Sequence, residues 1–127
     1  MKIILSNGGE LTPILVEGGK KIVQGATRDT LSFVFSADTS MDDLDAIFTA
    51  ENCEQIAIVD GENEYIHKGY TVRAGLKREP VEIARENGEE NAAYENRVFV
   101  SMSQRTYAES QMADMQATIN TLLSGEV

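Results

Sequence analysis

Tryptophan is missing from this chain, and cysteine and histidine occur once each, as Cys53 and His67. One cysteine excludes a disulfide framework, and together the two residues are too few for a zinc finger or a paired-histidine metal site within one chain. Bases are scarce. The 11 Lys and Arg stand against 21 Asp and Glu, a formal net charge of −10, which argues against a surface that tracks the phosphates of nucleic acid or anionic lipid. Long apolar runs are missing too. No stretch approaches the roughly 20 residues that cross a bilayer. The opening Met1-Lys2-Ile3-Ile4-Leu5-Ser6-Asn7-Gly8-Gly9 is far short of the apolar segment of about 7–15 residues in a signal peptide. The expectation is a soluble product made in the cytoplasm, without signal peptide, and with neither membrane nor nucleic acid among its partners.

What is present suits one globular domain. The 127 residues are 42% apolar and 25% charged, and a chain of this size buries roughly two thirds of its unfolded surface without a metal or disulfide staple. The charge is unevenly placed. Residues 1–40 hold four bases and four acids, 41–64 hold eight acids and no base, and 65–127 hold seven bases and nine acids.

The first forty residues read as three strands: Lys2–Leu5, Pro13–Val16 with Ile22–Val23 following a Gly18-Gly19 turn, and Thr30–Phe35. In the last, Leu31, Phe33 and Phe35 alternate with Thr30, Ser32 and Val34, which places large apolar groups on one sheet face. Ser40 then suits a helix N-cap, with Asp43 three residues on, so Met41–Ala50 reads as a helix that buries Leu44, Ile47 and Phe48. Ile56–Val59 is a buried strand, Asp60-Gly61 a hairpin turn, and Tyr65–Leu76 the returning strand, with Ile66, Tyr70, Val72, Ala74 and Leu76 on one side and His67 and Arg73 on the other. Val81–Ile83 and Arg97–Met102 form the last strand pair, flanking a polar, exposed loop, Arg85–Asn91. About seven strands at hairpin spacing imply an α+β, mainly β fold: a small β-barrel or sandwich over residues 1–104, with one inserted helix near 41–50. The expected core is Leu31, Phe33, Phe35, Leu44, Ile47, Phe48, Ile56, Ile58, Tyr70, Val72, Val98 and Val100.

Residues 105–127 change period. Ala108, Met112, Met115, Ile119 and Leu122 are spaced 4, 3, 4 and 3, the rhythm of a coiled-coil seam, and Gly125 suits a helix stop. The spacing predicts a helix from about Thr106 to Leu123 with a polar opposite face that includes Glu109, Asp114 and Asn120. Two readings stand: the stripe packs onto the domain, or it zips with copies of itself or with a partner. Met112, Met115, Ile119 and Leu122 are the candidate interaction residues.

Catalytic signatures are weak. General-base chemistry near neutral pH most often uses histidine, and His67 sits in an expected strand beside Lys68 as a rim residue. Cys53, between Asn52 and Glu54, reads as a half-buried filler whose acidic neighbours weaken it as a nucleophile. The run Asp38-Thr39-Ser40-Met41-Asp42-Asp43 offers oxygens at alternating positions, yet it has Asp43 where an EF-hand needs Gly and Thr49 where it needs a bidentate Glu. No glycine-rich loop precedes a Lys-Ser/Thr pair, so nucleotide binding has no support. No catalytic residue, cofactor or metal is expected. Lys20, Lys21, Arg28, Lys68, Arg73, Lys77 and Arg78 could form a basic face that matches the acidic block of a neighbouring subunit. The alternative is a calcium-dependent or ligand-binding adaptor that uses the acidic block.

Several motifs follow one another in an ordered series: Gln24-Gly25-Ala26-Thr27-Arg28-Asp29-Thr30-Leu31-Ser32-Phe33-Val34-Phe35, then Leu44-Asp45-Ala46-Ile47-Phe48, then His67-Lys68-Gly69-Tyr70-Thr71-Val72, and finally Tyr107-Ala108-Glu109-Ser110-Gln111-Met112-Ala113. In that order they resemble small proteins encoded in the tail or baseplate gene region of long-tailed phages and prophages of Gram-positive bacteria. The resemblance covers most of the chain and includes no catalytic motif. It implies a β-barrel similar to tail-tube and baseplate-hub subunits and a structural role in a tail or baseplate assembly. Its partners would be other copies of itself or other tail proteins, and its location the host cytoplasm during synthesis and then the virion tail.

Overall fold

The computed structural model describes residues 1–83 and 93–123. Its elements are β1 (Lys2–Leu5), β2 (Glu10–Leu11), β3 (Leu15–Val23), β4 (Ala26–Ser36), α1 (Met41–Ile47), β5 (Gln55–Asp60), β6 (Asn63–Lys68), β7 (Val72–Ile83), β8 (Ala93–Ser103) and α2 (Tyr107–Leu123). The expected loop Arg85–Asn91 and the expected helix stop Gly125 lie outside the described residues.

The strands form two antiparallel four-stranded sheets, ordered β2-β1-β5-β6 and β3-β4-β8-β7. This is the mainly β fold that the alternation predicts, as a sandwich of two open sheets rather than a closed barrel. Between the sheets, Ile3, Leu5, Ile56 and Ile58 face Leu31, Phe33, Phe35, Val98, Val100 and Met102. α1 closes the core through Leu44 and through Phe48, the residue that follows the helix, whose ring lies 5.3 Å from that of Phe33 and 6.1 Å from that of Phe35. Ser40 caps α1 as its sequence position predicts, accepting the Asp43 N–H at 3.3 Å. The helix stops at Ile47, earlier than Ala50, because the Phe48 backbone leaves helical angles to bring its ring into the core. Of the expected core, Ile47 and Val72 are only partly buried.

Three strand expectations change. Gly18-Gly19 is not a turn: β3 runs through it, paired with β4 from Leu15↔Val34 to Val23↔Ala26. The turn is Gln24-Gly25, with φ of 48° and 76°, the two positive angles of a type I′ hairpin. The stretch Tyr65–Leu76 is two strands in different sheets, divided at Gly69 with φ 78°. Because Ile56 and Ile58 face the core and pair with His67 and Tyr65, it is those two that lean inward, while Ile66 points out and is 46% exposed. Cys53 is fully buried rather than half-buried.

Both long hairpins outrun the sandwich. β4 pairs with β8 only from Thr30↔Ser103 to Ser36↔Arg97. Beyond one end, Lys20–Val23 continue against Ala26–Asp29. Beyond the other, Pro80–Ile83 continue against Ala93–Asn96. The domain is a packed block with a two-stranded ribbon at each end.

Candidate assembly surface

α2 begins at the end of β8, beside the β3–β4 ribbon, and a set of polar contacts anchors its first turn. Thr106 is the N-cap: its hydroxyl accepts the Glu109 N–H at 3.2 Å, and Glu109 accepts the Thr106 N–H at 2.8 Å, the reciprocal capping box. The same Glu109 carboxylate takes two bonds from the Arg28 guanidinium, one to Oε1 and one to Oε2 at 3.1 Å. Arg28 is buried and also donates to the carbonyls of Val23 at 2.8 Å and Gln104 at 3.3 Å. The arginine bonds and the capping N–H hold the Glu109 carboxyl down to about 2, while the carboxylate raises Arg28 above its usual value. Spacing alone puts Glu109 on the polar face of the helix and Arg28 among the bases of a candidate basic face. Only the fold, which brings residues 81 apart together, reveals the pair.

Past this anchored turn, the predicted stripe stands in solvent. Met112 is 70% exposed, Met115 61%, Ile119 45% and Leu122 62%, with Leu123 at 79%. Met115 and Ile119 line an open hollow of about 300 Å³ with Asp114 and Thr118. The four candidate residues therefore share one helix face, as their spacing requires, and that face does not pack onto the sandwich. A run of exposed apolar side chains like this is a feature of interaction surfaces.

The proposed basic face is dispersed. Arg28 pairs with Glu109, Arg73 with Asp45 at 3.0 Å and with the Phe48 carbonyl at 2.6 Å, and Lys77 with Glu79 at 3.2 Å. Lys20, Lys21 and Lys68 remain on β3 and β6. In the acidic block, Glu54 pairs with Arg105 and Asp45 with Arg73. Among the described residues no three His, Cys, Asp or Glu side chains converge as a metal-ligand set. His67 stands edge-on to Tyr70 at 5.7 Å and lines a cleft of about 390 Å³ with Gly18, Gly19, Lys20 and Asp29. Burial pushes the Cys53 thiol up to about 11, against the opposing pull of Arg73. The cause is desolvation rather than the acidic neighbours. No described helix is long and apolar enough to cross a membrane. Comparison with family models, curated proteins and solved structures finds no match.

Proposed function

We propose that this chain is a non-enzymatic structural component of a phage or prophage tail or baseplate assembly, acting through protein–protein packing. One observation carries the packing role: α2 is anchored at its base and presents Met112, Met115, Ile119 and Leu122 to solvent. Helices in proteins draw most of their stability from packing an apolar face, so the unpacked stripe of α2 at seam spacing is best explained by a partner that buries it. The two ribbons give further backbone surface for contact with neighbours. The tail or baseplate setting comes from the resemblance in the ordered motifs, and the partners are copies of this chain or other tail proteins.

Sedimentation of the wild type against Met115→Asp and Ile119→Asp tests the packing role. Loss of the larger species held together by α2, with an unchanged melting transition, is the expected result. An unchanged mass with lower stability would instead make the stripe a folding element. For the setting, flanking tail-length, baseplate or lysis genes are expected, and a metabolic operon would overturn it.

A further inference from the structure

The sandwich has four edge strands, and three of them are blunted against pairing. β2 is only two residues long. β7 carries Pro80 and a register shift between Arg73 and Gly75. β3 holds Gly18 and Gly19 followed by Lys20 and Lys21. Short length, proline, bulges, glycine and lysine are the usual protections of a free edge. β6 has only Lys68 among them: it is six residues in unbroken register with β5, without Gly or Pro, and with Tyr65 55% and Ile66 46% exposed.

The charges on this edge are unspent. Among the described residues every arginine, Lys2 and Lys77 are held by a carboxylate or carbonyl of the same chain. Among the described residues Lys68 has no such side-chain partner, and neither has Glu64, nor have Lys20 and Lys21 on β3. Since Tyr65 and His67 lean toward the core face, Glu64, Ile66 and Lys68 lie together on the outer face. Read along the strand this is acid, apolar, base; read in reverse it is base, apolar, acid. A strand with that pattern complements its own antiparallel copy.

We propose that two copies of this chain pair through β6, antiparallel, about a two-fold axis normal to the sheet at Ile66. In that register Glu64 opposes Lys68 of the second copy and Lys68 opposes its Glu64. Ile66 packs on its own counterpart, and Tyr65 meets His67 on the inner face. The outward backbone groups of Glu64 and Ile66 and the Lys68 N–H are satisfied by their copies, the Lys68 carbonyl, which accepts from Gln104 Nε2 at 3.1 Å, takes a second donor, and the two sheets join into one of eight strands. This surface is separate from the α2 stripe, so it holds or fails independently of the reading above.

Sedimentation equilibrium of the full chain carrying Met115→Asp and Ile119→Asp, which removes any contribution from α2, tests it. A dimer is expected. Glu64→Lys alone and Lys68→Glu alone each set like charges opposite one another twice per dimer, and each weakens association by about tenfold or more. An equimolar mixture of those two variants, and the double exchange Glu64→Lys with Lys68→Glu, restore it. Both sites are exposed, and unchanged melting of each variant checks that the fold is kept. A monomer with wild-type β6, a dimer indifferent to both reversals, or a mixture that stays monomeric would overturn the proposal.

Discussion

Arg28 in β4 and Glu109 in α2, 81 residues apart, form the bidentate ion pair that fixes where α2 leaves the domain. The arginine is buried, and two further donors go to the Val23 and Gln104 carbonyls, so it joins the hairpin turn, the end of β8 and the helix cap. Truncation to Arg28→Ala leaves the carboxylate and both carbonyls without this donor, and a lower melting temperature is expected. Arg28→Lys, which cannot reproduce a planar fork, should recover only part of the loss. Thermal unfolding followed by circular dichroism measures both.

Acid should weaken the same pair. The folded Glu109 pKa, at about 2, lies below its usual 4.5, so its stabilisation is complete above the usual value and is lost as pH falls toward the lower one. Chemical denaturation between pH 5 and about 2 should show falling stability, with a smaller fall in Glu109→Gln. An identical slope in the two proteins would refute the pair's role.

Two glycines should respond oppositely to alanine. Gly69 has φ 78°, donates to the Glu54 carbonyl and accepts from the Arg105 N–H, so Gly69→Ala strains the junction between β6 and β7 at a cost of about 1–2 kcal/mol. Gly18 lies within β3 with open space around the position of an added Cβ, and Gly18→Ala should stabilise by about 0.4–1 kcal/mol through the unfolded state. Urea midpoints of the two variants, on either side of the wild type, check this.

The buried thiol supplies a folding probe. Cys53 is inaccessible and its pKa stands at about 11, so a thiol reagent at pH 8 should label it only when the domain opens. Rapid labelling of the folded protein would contradict its place in the core.

Phe48 tests the closure of the sandwich by α1. It is 1% exposed and packs on Phe33 and Phe35, so Phe48→Ala should cost about 3–5 kcal/mol. The denaturation midpoint should fall accordingly.

Local pattern carried a large part of this architecture. Alternation in Leu31, Phe33 and Phe35 marks the inner face of β4, Ser40 with Asp43 marks the start of α1, and the 4-3-4-3 spacing in residues 108–122 marks a one-striped helix. These signals are legible because strand and helix periods and capping chemistry act within a few residues. The acidic block from 41 to 64 is equally plain in the sequence. What the stripe faces was beyond its reach, since burial depends on distant chain. So did the division of Tyr65–Leu76 between two sheets, the passage of β3 through Gly18-Gly19, and the pairing of Arg28 with Glu109. Sequence determined which faces are apolar and where helices begin. Tertiary structure alone decided which faces found partners within the chain and which, on α2 and β6, stayed exposed, because only the packed sandwich settles which surfaces lose their water.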